Sequence, residues 1–281
     1  MNVGAGKSWY RIAAYVVLAA VSATFVLPLV WMVCVSLKPA AEVTQFPPTF
    51  FPRSPQLDAF VSVFRSGTFD FPLYARNTLI IALLSGVGMI LSSAIAAYGF
   101  ARIPFRGSRL MFGLAMATMM IPFPVTMVPT YMIFKELGWI GTFKPLWVPA
   151  WFGAAFNIFL LRQFFMGIPK ELEEAAMIDG CSTWGCFRRI MLPLAKPALA
   201  VVALFHFITV WNDLLGPLIY LSHQDQFTLS LGLQFAQGKA GDTPWNELMA
   251  ATTLTILPVL ILFLLAQRTF IRGIASAGLK G

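Results

Sequence analysis

Thr78-Leu-Ile-Ile-Ala-Leu-Leu-Ser-Gly-Val-Gly-Met-Ile-Leu-Ser-Ser-Ala-Ile-Ala-Ala-Tyr-Gly-Phe100 is a run of 23 residues without one Asp, Glu, Lys or Arg. A membrane-crossing helix needs about 20 predominantly apolar residues, so this stretch is long enough to span a bilayer. It carries the small residues Ser85, Gly86, Gly88, Ser92, Ser93, Ala94, Ala96, Ala97 and Gly99. Where lipid surrounds the protein, small side chains let helix backbones approach closely, and the spacing predicts a central packing helix. Five more stretches extend the pattern outward, at 12–36, 110–134, 146–165, 199–221 and 248–266. The fold class is all-α: one polytopic transmembrane domain over 1–281 with six transmembrane helices, a cytoplasmic loop at 166–197 and a tail at 267–281.

Composition agrees with this reading. Of 281 residues, 58% are hydrophobic and 11% charged, and the mean hydropathy is +0.75. A soluble core of this length would leave too little polar surface to cover it, and disorder and disulfide scaffolds are excluded on the same ground. The first stretch follows Lys7 and Arg11 and exceeds a signal-peptide core, which predicts an uncleaved first span. The third contains Pro122, Pro124 and Pro129, so it is expected to be kinked or partly unwound and packed inside the bundle. The fourth is short and ends at Arg162.

The 20 Lys and Arg against 12 Asp and Glu give a net charge of +8. They sit singly between apolar stretches and form no phosphate-tracking patch, so nucleic acid is not the partner. With both termini inside, 13 basic residues fall on the cytoplasmic side and 7 outside, which fits the positive-inside rule. Cys34, Cys181 and Cys186 make neither a disulfide framework nor a zinc site, and no metal site is expected.

Between the fourth and fifth stretches runs Glu171-Leu-Glu-Glu-Ala-Ala-Met-Ile-Asp-Gly180, then Cys-Ser-Thr-Trp-Gly-Cys-Phe-Arg-Arg-Ile190-Met-Leu-Pro193. The acids at the start favour the positive end of a short helix to Asp179. Gly180 is suited to the left-handed residue that ends it. Ser182 is a cap for a second helix running to Leu192, broken by Pro193. The spacing Glu174-Ala175-Ala176, Gly180, Ile190, Leu192-Pro193 resembles the EAA loop of the membrane subunits of binding-protein-dependent ABC importers. Cys181 stands where Ala is common in that family.

Further resemblance, to the carbohydrate branch, lies in Ser36-Leu-Lys-Pro39, Asn77-Thr78, Ala97-Tyr98 with Ala101-Arg102, Ile121-Pro122 with Pro129, Leu137-Gly138 with Gly141-Thr142, and Trp211-Asn212 with Gly216-Pro217. The end, Gln267-Arg268-Thr-Phe-Ile-Arg272-Gly273 and Gly278-Leu-Lys280-Gly281, resembles the smaller permease subunit of the maltose-transporter type. The resemblance implies that Glu173, Glu174, Ala175, Ala176, Asp179 and Gly180 couple to an ATPase subunit. It also implies that the tail, with Arg268, Arg272 and Lys280, reaches the ATPase interface. Gln237, Gly238, Lys239, Gly241 and Asp242 would meet an extracytoplasmic solute-binding protein. The implied partners are a second homologous permease, two ATPase subunits, that binding protein and membrane lipid, in the cytoplasmic (inner) membrane of a bacterium.

No G-x-x-x-x-G-K-[ST] phosphate loop is present. This chain is therefore expected to be non-catalytic and to carry no cofactor, with ATP and Mg held by the partner ATPases. An acid inside a membrane is costly, so Asp213 either pairs structurally or lines the solute path. His206 reads as a hydrogen-bonded packing residue or a path residue, and Asn157, Thr209 and Asn212 as path residues or helix-to-helix bonds. The expected function is a permease subunit importing a sugar or sugar-like solute: disaccharide, oligosaccharide, amino sugar or glycerol-3-phosphate. The alternatives are a secondary transporter driven by an ion gradient and a membrane scaffold or receptor that moves nothing.

Overall fold

The computed structural model describes residues 3–65, 69–237 and 243–278, with side chains from residue 9 to residue 267 within them. Its helices, in chain order, are α1 (Val3–Ser36), α2 (Ala40–Val43), α3 (Asp58–Phe64), α4 (Phe71–Arg102), α5 (Ser108–Thr118), α6 (Phe123–Glu136), α7 (Lys144–Trp147) and α8 (Ala155–Gly167). There follow α9 (Glu171–Ile178), α10 (Thr183–Cys186), α11 (Leu192–Leu194), α12 (Lys196–Trp211), α13 (Leu215–Tyr220), α14 (Leu229–Gln237) and α15 (Trp245–Gly278). No strand occurs among the described residues. Trp9–Ser36, Phe71–Arg102 and Trp245–Gln267 are each long and apolar enough to cross a membrane unaided. Three bent helix pairs bring the number to as many as six.

The chain divides into two compact units, Met1–Phe71 with Leu233–Leu257, and Pro72–Gly232 with Pro258–Gly281. In the first, α1 buries none of its apolar window. Beyond it the chain closes a loop around two buried charges. Lys38 donates to the Thr49 carbonyl and lies 4.9 Å from the Trp31 ring centre. Glu42 accepts from the Thr49 hydroxyl at 2.9 Å and from the Arg53 backbone N–H at 3.1 Å. Burial pushes the Glu42 carboxyl up, but these two bonds and the charges of Lys38 and Arg53 outweigh it and hold it below the usual carboxylate range.

The second unit is organised around α4. Ala94, Ala97 and Tyr98 of α4 meet Ile158, Leu161 and Phe165 of α8, then Phe187, Met191 and Ala195, and Ala198 and Val202 of α12, in one buried cluster. The small residues do what the sequence predicts, since Ser85, Ser93, Ala94 and Ala97 are all buried. At Gly88 the approach is so close that a Cβ would stand 2.3 Å from Trp151 Cδ1. The Trp151 indole N–H donates across α4 to the Leu84 carbonyl at 3.0 Å. At the other end of α4, the Asn77 amide donates to the carbonyls of Asp225 at 2.8 Å and Phe227 at 3.0 Å.

α4 and α8 close each other's C-termini. Arg102 donates to the carbonyls of Phe165 (2.8 Å) and Ile168, and Arg162 donates to the Phe100 carbonyl at 3.2 Å. The last carbonyls of a helix lack intrahelical partners and carry partial negative charge, so each arginine answers the other helix's need.

Three expectations change. The third span is bent as its prolines predict, by 97° between α5 and α6. It is not packed inside: α5 buries no residue and α6 buries only Phe134. α5 meets α8 along one side, with Phe112 against the core cluster and the Arg162 guanidinium 4.4 Å from its ring centre, and the remaining apolar surface of both halves stays available to lipid or another subunit. The fourth span is not one helix, because Gly153 adopts φ +79° and separates Val148–Phe152 from α8. The fifth is interrupted between α12 and α13.

Candidate functional site

The first turn of the loop between α8 and α12 folds as its sequence predicts. α9 ends in a left-handed Gly180 (φ +84°), and the Cys181 N–H bonds the Ala176 carbonyl at 2.9 Å while the Gly180 N–H bonds Met177 at 3.0 Å. This paired arrangement satisfies orphan carbonyls of the helix end, and its left-handed turn residue favours glycine, which has no Cβ to strain it. The Ser182 hydroxyl accepts from the Gly185 N–H at 3.2 Å and caps α10.

The second helix runs further than expected. A π-helical turn at Phe187–Met191 carries it into α11, so Pro193 does not end it. Widening the turn relieves the clash that proline makes with the preceding turn. The change of direction, 74°, comes between Leu194 and Lys196. Phe187 and Met191 are the residues by which this segment plugs into the α4–α8–α12 core.

The predicted coupling residues separate into two faces. Glu174, Ala175, Asp179 and Gly180 are exposed, and Ala176 is half-buried. Next to them Ile178 is 87% exposed, with Leu172, Met177 and Trp184 also open. Isolated exposed apolar residues are ordinary, but four on one short loop make a surface suited to a protein partner. Glu173 is the exception, at 5% exposure. Its Oε2 lies 2.9 Å from Arg102 Nε, and its Oε1 accepts from the Tyr98 hydroxyl at 2.8 Å. Glu173 therefore turns inward, and direct contact with a partner is not open to it. Cys186 is buried beside it, and burial, then the neighbouring Cys181, push its thiol up. Such a thiol is inert packing.

Tyr98 and Arg102 are the residues sequence reasoning missed as part of this site. Four residues apart, they share a helix face, and the signal was an arginine closing an apolar span one turn after a tyrosine.

The intramembrane polar residues are not gathered into one site. His206 Nε2 is 2.8 Å from the Ser85 hydroxyl, beside an apolar cavity of about 490 Å³ between α4, α12 and the later part of α15. The packing alternative thus has a partner for His206. Asp213 Oδ1 accepts from the Gly216 N–H at 3.1 Å in the break before α13, a bond of the kind the structural alternative calls for. Thr209 and Asn212 are exposed and return their side-chain bonds to α12's own carbonyls of Phe205 and Ile208, both at 2.8 Å. Asn157 is buried on α8. Of the outer-loop residues only Gln237 is described, as the last residue of α14, while Gly238, Lys239, Gly241 and Asp242 lie outside the described residues. Lys280 likewise lies outside them, and for Arg268 and Arg272 only the helical backbone of α15 is described.

Comparison with known proteins bears on this arrangement. The family described as "Binding-protein-dependent transport system inner membrane component" matches residues 88–276, which include the whole loop. The arabinooligosaccharides transport system permease protein AraQ of Halalkalibacterium halodurans is 33% identical over 98% of this chain and 97% of its own length. The trehalose/maltose transport system permease protein MalG of Thermococcus litoralis is 32% identical over 90% and 91%. A chain in the crystal structure of a bacterial ABC transporter that imports the acidic polysaccharide alginate has the same fold. Its TM-score is 0.85 at 22% identity, over 95% of this chain and 99% of that one.

Proposed function

The chain belongs to the family of binding-protein-dependent transport system inner membrane components, and from that premise we propose its working parts. It is a permease subunit of an ABC importer, its solute is a sugar or sugar-like molecule, and the α9 surface is where an ATPase subunit docks. The names of its relatives support the solute class, since they handle arabinooligosaccharides and trehalose or maltose. The docking surface rests on one observation: Ile178, Met177 and Trp184 stand open on a loop whose other face is locked into the core.

The other proposed partners follow from exposure. α1 is apolar and unburied over its whole window, and the bent third span offers apolar faces, as expected of a subunit paired with a second permease in lipid. An extracytoplasmic binding protein would approach the outer end near Gln237. Both termini are assigned to the cytoplasm on the 13 to 7 division of basic residues. The chain performs no chemistry of its own in this reading. ATP and Mg bind the ATPase subunits, and their closure shifts the paired permeases toward an outward-open state by favouring it energetically.

Uptake by proteoliposomes holding the whole complex tests this. We expect accumulation of solute only with ATP inside and binding protein outside, unchanged when proton and sodium gradients are dissipated. Uptake that follows an ion gradient and ignores ATP would establish the secondary-transporter alternative instead.

A further inference from the structure

Among the described residues, a buried charged cluster joins the loop to the core that α4, α8 and α12 share. Glu173 is 5% exposed, and its ion pair with Arg102 is shut off from solvent on both sides. Among the described residues this is the one salt bridge. The Arg102 guanidinium also holds the Phe165 and Ile168 carbonyls at the end of α8. The Tyr98 hydroxyl, one turn earlier on α4, donates to Glu173 and lies 3.4 Å from the Thr183 carbonyl at the start of α10. Two side chains of α4 therefore grip α8, α9 and α10 together.

We infer that Glu173 is a positioning residue: the buried carboxylate through which displacement of α9 is passed to the cytoplasmic end of α4. The inference rests on the reading of this loop as the one an ATPase moves. Its physical basis is the difference between the two faces of α9. On the outer face Glu174, Ala175 and Ile178 are open and can follow a partner. On the inner face, a charge pair out of water resists separation, because either charge left alone there is strongly disfavoured. Apolar packing alone can slide, whereas the hydrogen bond that the Tyr98 hydroxyl donates to Glu173 is directional and ties the buried carboxylate to α4. Movement of α9 must then carry α4 with it or break the pair. Since α4 is the helix around which this unit is built, motion at its end reaches the transmembrane core.

Hydrogen exchange on the purified complex, with its ATPase subunits and binding protein, tests this using Mg-ATP and orthovanadate as the probe. In the unaltered complex, nucleotide trapping is expected to change exchange in both 171–180 and 95–102. In Glu173→Gln the response of 171–180 is expected to persist while that of 95–102 falls about fivefold or more, within the usual range of coupling between sites. A merely structural role would weaken the response of both regions alike, and that result, or an undiminished response at 95–102, overturns the inference. If neither region responds in the unaltered complex, it is the docking reading that fails. Should Glu173→Gln not assemble, the double variant Arg102→Met with Glu173→Met, which removes both charges together, is measured with the same two outcomes.

Discussion

Arg102→Met is expected to destabilise the complex by about 3–5 kcal/mol, the usual cost of removing one partner from a buried ion pair. The Glu173 carboxylate would remain at 5% exposure with only the Tyr98 hydroxyl, and the carbonyls of Phe165 and Ile168 would lose their donor. A domain is typically stable by about 5–15 kcal/mol, so this one change removes a large share. The sign of the second substitution is what makes the case. Adding Glu173→Met should recover much of the loss, because two apolar side chains packed together avoid the penalty of a lone buried charge. Thermal unfolding in detergent of the two single variants and the double checks this. Equal melting of Arg102→Met and the unaltered protein, or a double variant worse than either single, would show that the pair is not held out of water.

Gly88→Leu has the second-largest expected effect. The first added carbon alone would lie 2.3 Å from Trp151 Cδ1 and 2.4 Å from Cγ, where no rotation of the ring's far edge can help. Trp151 must leave its place, and its indole N–H must give up the Leu84 carbonyl. Overpacking of this kind costs about 1–3 kcal/mol, with about 1 more for the hydrogen bond. Removing the obstruction with Trp151→Ala should make Gly88→Leu far less harmful, since substitutions at touching sites are not additive. A double-mutant cycle on melting temperature measures this. Strict additivity would mean that Gly88 and Trp151 do not meet.

Several features were legible in the sequence because they depend on local rules. Gly180 and Ser182 announce a helix end and a helix start, and the structure has both. The charge-free run at 78–100 marks α4, although the helix begins earlier, at Phe71, where Pro72 suits a first helical turn and the more polar Tyr74, Arg76 and Asn77 carry it on beyond the apolar run. Pro122 and Pro124 mark the bend of the third span. What the sequence concealed depends on residues far apart in the chain. Arg102 looks like a topogenic charge at a membrane boundary until it is seen 2.9 Å from Glu173, which lies 71 positions later. Glu173 and Glu174 are indistinguishable by type, and only helix phase turns one inward and the other outward. The π turn before Pro193 is hidden for a similar reason: a proline announces a conflict, and the packing of Phe187 and Met191 into the core decides how it is resolved. The exposure of α5 and α6 reflects surfaces that this chain does not bury by itself.

ATP hydrolysis elsewhere is proposed to be coupled to this chain through the outer face of α9. The most direct measurement is the ATPase rate of the reconstituted complex with and without solute-loaded binding protein, comparing the unaltered chain with Ile178→Asp. Ile178 is 87% exposed, so the substitution disturbs no packing within the chain. An assembled complex is expected, with its binding-protein stimulation reduced about fivefold or more. Stimulation unchanged by Ile178→Asp would contradict it and move the coupling surface away from this loop.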